Sequence, residues 1–261
     1  MTPSPLAGRS VVITRARPQA SELARRLAGL GATVVELPVI AIEDPDDRGR
    51  ELARAAHRLA SGAYQWVALT SSNAASRLLA ELGDRAVAPS VRWAAVGAAT
   101  ARTLAEADRS VDLIPEVSMA EALAEAFPTA GPDGPEPVGT VLYPRADTVS
   151  GSLAAGLRAK GWLVDEVVAY RTVSGRPEPE AVAATSRADA VAFTSSSTVT
   201  RSVDLVGADG LPPIVVTIGP VTSATARSAG LAVAAEANPH TIEGVVEAVV
   251  AALGADGGAA G

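Results

Sequence analysis

The chain has 261 residues, and its 22 Lys and Arg against 29 Asp and Glu give it a formal net charge of −7. This length corresponds to about two domains with buried cores, and a composition of 48% hydrophobic and 20% charged residues excludes an intrinsically disordered chain. The absence of cysteine excludes disulfides, zinc–thiolate sites, iron–sulfur clusters and a cysteine nucleophile, while the 3% aromatic content and the negative charge argue against a nucleic-acid platform.

The distribution of charge and hydropathy along the chain limits where the protein is expected in the cell and which kinds of ligand it is expected to bind. Residues 1–35 carry five arginines against the single acid Glu22, so a basic unit opens an acidic chain. Such a unit either binds a small anion or is a solvated basic helix face. No apolar run reaches the ~18 residues of a membrane span, and the N-terminus lacks the pattern of a signal peptide. We therefore expect a cytoplasmic protein that contacts neither membrane nor nucleic acid.

The first predicted elements are a strand, a helix and a strand. Val11–Ile13 is a short apolar run typical of a buried strand. The next segment places leucines on one helical face and ends at Gly31, which readily adopts the left-handed conformation. Thr33–Leu37 is predicted as the following strand, and Glu51–Ala60 as a helix.

Later strands run directly into small polar loops that begin helices. The predicted strands are Trp66–Leu69, Trp93–Val96 and Val215–Ile218. One following helix is predicted over Thr100–Ala107, Gly131–Gly139 as an exposed spacer and Gly254–Gly261 as a frayed tail. Strand and helix alternate from end to end, which predicts an α/β fold with doubly wound parallel sheets covered on both faces.

Four segments of the first half recur, in the same order, in the second half. Val11–Ala16 (VVITRA) matches Val141–Ala146 (VLYPRA) at an offset of 130, Val67–Arg77 matches Val191–Arg201 at 124, Ala95–Thr100 matches Thr217–Thr222 at 122, and Ser118–Leu123 matches Thr241–Val246 at 123. Alanine richness alone does not produce four ordered matches. The pattern therefore indicates an internal duplication with loop insertions.

The polar loops are the candidate ligand sites. They are Thr70–Asn73, Gly97–Thr100, Thr194–Thr198 and Gly219–Ser223. Ligands of doubly wound sheets bind beyond the carboxyl ends of the strands, where hydroxyls and unpaired N–H groups at helix starts accept carboxylates or phosphates. The alternative is that these Ser and Thr residues only cap helices, although caps do not require runs of three or four hydroxyls.

Common catalytic and metal-binding signatures are absent from the sequence. It contains no phosphate loop, dinucleotide fingerprint, GxSxG elbow or HExxH motif. His57 is predicted on a helix surface, and His240 as a loop residue or a minor ligand contact. The aspartates Asp44, Asp46 and Asp47 favour a solvated turn over a cation site. We therefore expect a reaction that depends on positioning and hydrogen bonds, without a metal.

Two tyrosines distinguish the second copy of the repeat from the first. At the offset of 130, Tyr170 stands where the first copy has Ile40, and Tyr143 where it has Ile13. The Tyr170 phenol either donates a proton to a departing hydroxyl or packs with its tip in water.

The ordered motifs LTSSNA, AVGAAT, VVAYRT, AFTSSS, TIGPVTSATA and HTIEGVVEAV together resemble the uroporphyrinogen-III synthase family over roughly residues 8–253. The resemblance implies two flavodoxin-like α/β domains joined by a two-stranded connector, with the active site in the interdomain cleft. Domain 1 would comprise residues 1–37 plus 173–257, and domain 2 residues 38–172. Arg15 would then lie with the loops at Thr194 and Gly219, and Arg145 with those at Thr70 and Gly97.

The resemblance also implies a reaction. Family members close hydroxymethylbilane to uroporphyrinogen III, inverting ring D and losing water, with no cofactor. By this resemblance Tyr170 is the expected acid, and a transient contact with the upstream deaminase is a further expectation. The expected substrate-binding residues are Arg15, Thr70, Ser71, Ser72, Gly97, Thr100, Arg145, Ser195, Ser196, Ser197, Gly219 and Thr222.

Two other functions remain open on the sequence alone. Two α/β lobes around a cleft also describe non-catalytic sensors and regulators, including chains that carry this family's domain beside a DNA-binding one. The acidic charge disfavours DNA. A phosphate-handling α/β enzyme is the second alternative, and the missing phosphate loop and metal-binding carboxylates count against it.

Overall fold

The computed structural model describes residues 4–14, 17–131, 134–148 and 151–256, with no side-chain description for 17–21 and 255–256. The chain forms two compact units. Unit 1 is Met1–Ala41 together with Val173–Gly261, and unit 2 is Ile42–Thr172. Strands β3 (Ile40–Glu43) and β7 (Leu163–Ser174) carry the chain from one unit to the other, and they are neighbours in one sheet.

Unit 1 contains, in its described residues, a five-stranded sheet in the order β10-β9-β8-β1-β2 whose paired strands are all parallel. The strands are β1 (Ser10–Ile13), β2 (Thr33–Glu36), β8 (Ala190–Phe193), β9 (Ile214–Thr217) and β10 (Val233–Glu236). The helices are α1 (Arg17–Gly29), α7 (Pro179–Thr185), α8 (Ser196–Val206), α9 (Pro220–Ser228) and α10 (Ile242–Asp256).

The sheet of unit 2 has the order β3-β7-β6-β4-β5 in the part of the chain that the structure describes. Its remaining strands are β4 (Trp66–Leu69), β5 (Arg92–Ala95) and β6 (Thr140–Ala146), with β5, β4, β6 and β7 paired in parallel. The helices are α2 (Arg50–Ala60), α3 (Ser72–Leu82), α4 (Ala98–Ala105), α5 (Ala120–Ala126) and α6 (Ser152–Ala159).

Corresponding strands of the repeat occupy corresponding places in the two sheets. The repeat equates β1, β2, β8 and β9 with β6, β7, β4 and β5, and the order β2-β1-β8-β9 is matched by β7-β6-β4-β5. Beyond β9 lies β10, and beyond β5 lies a single parallel bridge between Ala94 and Leu113. Each sheet therefore combines the opening strands of one copy with the later strands of the other.

Alternating strand residues build separate cores on the two faces of the unit 2 sheet. Val67 and Leu69 pack in one cluster with helices α2 and α3, whereas Trp66 and Ala68 pack in another with α5 and α6. A strand buried on both sides needs an unbroken apolar run, which is what β4 provides with WVAL. The expected α/β fold with parallel sheets is therefore confirmed, and the unit 2 sheet is covered on both faces.

Several element boundaries differ from those predicted. Helix α4 spans Ala98–Ala105 instead of Thr100–Ala107, because Gly97 is its N-cap and the helical turn begins immediately after it. Strand β7, for which no bounds were predicted, runs for 12 residues and continues past Tyr170 beside β3. The Gly131–Gly139 spacer is not simply exposed, since Glu136 forms two hydrogen bonds with Arg92, at 2.8 and 2.6 Å.

Two further predictions concern the end of α1 and the carboxyl-terminal tail. Gly31 has a φ of +90°, which confirms its left-handed conformation after α1. At the other end α10 continues to Asp256, so part of the segment predicted as a frayed tail is helical, and residues 257–261 lie outside the described residues. No helix in the described ranges is both long and apolar enough to cross a bilayer.

Candidate functional site

The polar loops begin helices directly after the carboxyl ends of strands, as the sequence predicts. The N-cap residues of α3, α4, α8 and α9 are Ser71, Gly97, Ser195 and Gly219. Within unit 2 the loops at Ser71 and Gly97 share one edge, because β4 and β5 are paired and parallel. Within unit 1 the pairing of β8 with β9 brings the other two loops to one edge in the same way.

Tyr170 contacts one of these helix starts. Its side chain is 7% exposed, and its hydroxyl donates to Ser71 Oγ at 3.0 Å. Ser71 Oγ also accepts from the Ala74 N–H at 3.1 Å, so the Ser71 proton is left to donate elsewhere. The tyrosine of β7 and the cap of α3 therefore form one hydrogen-bonded unit at the carboxyl end of the sheet.

Tyr143, the second phenol of this region, is more deeply buried. It is 1% exposed, and its hydroxyl lies 3.4 Å from Thr70 Oγ1. Burial raises the pKa of the Tyr143 phenol above its ordinary value, while the hydrogen bond with Thr70 opposes the rise. Tyr143 is therefore a neutral core residue that supports the Thr70 turn. Ser72, two residues after Thr70, is the first residue of α3.

Gly97 and Thr100 lie in the neighbouring loop and helix. Gly97 has an extended backbone, and a Cβ added there would lie 2.6 Å from Ser118 Oγ, so Ser118 covers this helix start closely. Thr100 is 3% exposed within the first turn of α4. The loop consequently offers a substrate main-chain N–H groups more readily than the Thr100 hydroxyl.

Of the two arginines expected to bind substrate, the structure describes Arg145 but not Arg15. Arg145 lies on β6 and is bound within unit 2: its Nε lies 3.0 Å from Glu166 Oε2, and its Nη1 donates to the carbonyls of Ala146 and Asp147 at 2.8 and 3.1 Å. It therefore organises the carboxyl end of β6 and is already paired with a carboxylate. Arg15 lies outside the described residues.

In unit 1, serines connect the starts of α8 and α9. Ser195 Oγ lies 3.1 Å from Ser197 Oγ, and Ser196 Oγ donates to the Val221 carbonyl at 3.3 Å. Ser197 is exposed, whereas Thr222 is 5% exposed in α9. Two neighbouring helix N-termini are thus held together, with hydroxyls beside their unpaired N–H groups, an arrangement that binds carboxylates without a side-chain positive charge.

Sequence reasoning missed two features that fix the Gly219 turn. The buried hydroxyls of Thr217 and Ser223 lie 2.6 Å apart, and Ser223 donates to Glu236 at the end of β10. The ring of His240 lies against Gly219, and its Nδ1 is 2.8 Å from the Ala237 carbonyl oxygen. Both features depend on contacts between separate segments, whereas the sequence signals for this turn were the hydroxyl-rich loop Gly219–Ser223 and its match with Gly97.

The acidic turn and the surface grooves contribute no evident chemistry. Asp44 and Asp46 pair with Arg77 and Arg171, and no group of three or more metal-ligating side chains occurs within the described residues. A groove of about 830 Å³ lies in unit 2 between α2 and β7, and none of the predicted site residues lines it. The groove is lined by the exposed side chains Glu51, Arg54 and His57 of α2 and by the ion pair of Arg58 with Asp165, so the hydrogen-bonded loops remain the candidate site.

The chain is similar to one family of proteins over nearly its whole length. The family model described as "Uroporphyrinogen-III synthase HemD" matches residues 21–247. The uroporphyrinogen-III synthase of Synechococcus elongatus is 32% identical over 270 residues, covering 95% of this chain and 97% of the relative. A chloroplastic uroporphyrinogen-III synthase of Oryza sativa subsp. japonica is 30% identical over 253 residues, covering 95% and 82%.

Solved structures agree with the fold. A mutant uroporphyrinogen III synthase of Thermus thermophilus superposes with a TM-score of 0.63 at 20% identity, covering 94% of this chain and 99% of the other. At that identity the likeness concerns the fold alone.

Proposed function

The chain belongs to the uroporphyrinogen-III synthase family, a family of lyases in tetrapyrrole biosynthesis, and on this premise we propose that its polar loops bind the carboxylates of hydroxymethylbilane while Tyr170 assists loss of the hydroxyl group. The product is uroporphyrinogen III, with ring D inverted. The observation that carries the proposal is the hydrogen bond between Tyr170 and Ser71, 3.0 Å long, at a helix start.

The substrate's chemistry suits these loops. Each of its four pyrroles carries an acetate and a propionate group, so the ligand is a flexible polyanion. Helix N-termini with adjacent hydroxyls bind such groups through N–H and O–H donors. Unit 2 supplies the starts of α3 and α4, and unit 1 supplies those of α8 and α9. We propose that the helix starts of each unit bind carboxylate groups of the substrate.

Tyr170 acts in the proposal as a general acid. As the bond between carbon and the departing hydroxyl breaks, the electron pair leaves with oxygen, and the phenol supplies the proton that makes water. The electron-rich pyrrole stabilises the positive charge left on carbon. The Ser71 hydroxyl, whose own proton is free to donate, then hydrogen-bonds to the phenolate oxygen. Tyr170 thus needs no metal or charged base nearby.

Positioning supplies the remainder of the catalysis. Ring closure with an inverted pyrrole requires the chain to be held in one of several reactive conformations, and restricting those conformations lowers the barrier. Many weak carboxylate contacts share this role. Single substitutions of loop hydroxyls such as Ser196 or Ser197 are therefore expected to reduce turnover only partly.

Isomer analysis tests the proposed function. Purified protein is supplied with hydroxymethylbilane made by a deaminase, and the products are oxidised and separated by chromatography. We expect the type III isomer in excess over the type I isomer that forms without the enzyme. Only the type I isomer, in amounts equal to a protein-free control, would overturn the proposal and favour a non-catalytic binding protein.

A further inference from the structure

His240 has a fixed tautomer in the loop that covers the Gly219 turn. Its Nδ1 lies 2.8 Å from the Ala237 carbonyl oxygen, and because a carbonyl oxygen only accepts, Nδ1 carries the proton. Nε2 is then a lone-pair acceptor in the neutral ring and an N–H donor in the imidazolium. The main chain therefore orients the imidazole and leaves Nε2 as its variable group.

The side of the ring nearest to Gly219 is the one that carries Cγ and Nδ1. A Cβ added at Gly219 would lie 3.3 Å from both Cγ and Nδ1 of His240, so this edge of the ring is against the glycine. Nε2 is on the opposite edge, and the residue as a whole is exposed. Among the residues that the structure describes, no hydrogen bond to Nε2 is formed.

Unit 2 shows that packing at this place does not require an imidazole. There Gly97, the counterpart of Gly219 in the repeat, is covered by Ser118, and Ser118 aligns with Thr241, the residue after His240. A small hydroxyl side chain thus covers the helix start in one unit and an imidazole covers it in the other. The difference points to a role for His240 in binding and not in folding.

We propose that His240, as the imidazolium, donates from Nε2 to a carboxylate of the bound tetrapyrrole. The inference rests on the proposed function, since it needs a polycarboxylate at the Gly219 turn. A charge-assisted hydrogen bond from Nε2 would add to the N–H donors at the start of α9. Unit 1 would then hold one carboxylate with a pH-dependent donor, whereas the corresponding donor of unit 2, Ser118, is neutral at all pH values.

The elements that flank the His240 loop in the sequence, β10 and α10, carry carboxylates. Glu236 ends β10 and accepts from Ser223. Glu243, in the first turn of α10, pairs with Arg26 of α1 at 2.6 Å. The first turn of α9 contains no acidic residue. A carboxylate that reaches Nε2 would place an opposite charge beside the ring.

The chain has only two histidines, so proton NMR resolves their rings individually. The probe is uroporphyrinogen III, added without oxygen to the full chain, and the imidazole resonances are titrated with and without it. The variants His240→Gln and His57→Gln assign the two signals. We expect the pKa of His240 to rise on binding and that of His57 to stay the same, because a carboxylate stabilises only the charged ring that it touches.

Kinetics give the second readout. His240→Gln is expected to raise KM for hydroxymethylbilane by roughly three- to ten-fold with little change in kcat, and to remove the increase in affinity that the imidazolium gives as the pH falls. His57→Gln, on the exposed face of α2, is the matched control and should leave both constants unchanged.

The outcomes separate the inference from the proposed function. If the type III isomer forms but the pKa of His240 does not move on binding, or KM is unchanged in His240→Gln, His240 does not bind the substrate and the proposed function stands. If only the type I isomer forms and the product does not bind, the proposed function fails and the inference fails with it.

Discussion

Tyr170 and Tyr143 are neighbouring phenols of unit 2 that differ in their hydrogen-bond partners. Tyr170 donates to the cap of α3, whose own proton remains available, whereas Tyr143 is enclosed in the core and reaches only Thr70. A proton donor must contact the reacting group, so Tyr170, the more exposed phenol, is the better candidate for the proton donor.

Replacing Tyr170 by Phe tests this difference. We expect Tyr170→Phe to lower kcat by roughly 10²-fold or more, since a positioned acid contributes about that much, and to leave the thermal unfolding midpoint close to that of the wild type. Steady-state kinetics and circular dichroism measure the two effects. The matched variant Tyr143→Phe removes the same atom from a core position and should retain most of the activity; equal losses in both variants would contradict the assignment.

Residue-level prediction succeeded where a local rule applies. The polar residue types placed helix starts in the loops Thr70–Asn73 and Thr194–Thr198, and the N-caps of α3 and α8 are Ser71 and Ser195. The contact between Tyr170 and Ser71 joins residues 99 positions apart, and the position of His240 over Gly219 depends on a loop that follows another strand. Such contacts depend on tertiary structure, which local patterns do not contain.

At the scale of elements, a side chain ties the start of a central strand to a distant segment in each unit. In unit 1, Asp189 Oδ2 accepts from both N and Oγ of Ser10 at 2.7 Å, and its Oδ1 lies 3.1 Å from Arg9 Nη1. In unit 2, Gln65 Oε1 accepts from the Thr140 N–H at 2.6 Å. The repeat equates these two ties, one made by a carboxylate and the other by a carboxamide.

The carboxylate tie makes the stability of unit 1 depend on pH. Burial raises the pKa of Asp189. The hydrogen bonds from Ser10 and the charge of Arg9 lower the pKa by more than burial raises it, so it lies below its usual value. A lowered folded-state pKa gives stability that is complete above the unfolded value of about 3.9 and is lost as the pH falls through the folded value.

We therefore expect Asp189→Asn to lower the free energy of unfolding by roughly 1–2 kcal/mol at neutral pH, with the difference from the wild type vanishing in acid. Urea titrations at a series of pH values measure it. Gln65→Ala is the control, because a carboxamide does not titrate and its effect should be the same from about pH 3 to pH 8. A loss in Asp189→Asn that does not change with pH would contradict the prediction.

Predicted elements were confirmed where periodicity and end signals agree, as in β4 and α2. The 12-residue length of β7 has no counterpart among the predicted strands, because the alternation of side chains does not show how far a neighbouring strand extends. Beyond β5, where unit 1 has β10, the unit 2 sheet has one bridge between Ala94 and Leu113, too short to produce any pattern. Element length thus depended on pairing partners that lie far away in the sequence.

At the scale of the whole molecule, unit 2 is a continuous segment that begins and ends on neighbouring strands. The chain enters along β3 and leaves along β7. Where it rejoins unit 1, the Gly175 N–H donates to the Val39 carbonyl at 2.9 Å. Each unit therefore contains a complete sheet with its own core, which is the usual requirement for independent folding.

We expect a fragment of residues 40–174 to fold alone, because it holds the complete sheet β3-β7-β6-β4-β5. Circular dichroism should show one cooperative thermal transition. A fragment of residues 40–162 lacks β7, exposes the edge of β6 and should not fold. Replacing residues 42–172 by a short loop should likewise leave a folded unit 1; non-cooperative melting of the first fragment would contradict the division.

The pairing of β1 with β8 has a consequence for synthesis on the ribosome. Val11, Val12 and Ile13 align with residues 190–192, so one flank of this apolar strand has no partner until the polypeptide has grown by about 180 residues. At about 5–20 residues per second, that delay lasts roughly 10–40 s. The inserted middle segment emerges complete during this time, and the nascent amino-terminal strand is the part that chaperones must shield from aggregation.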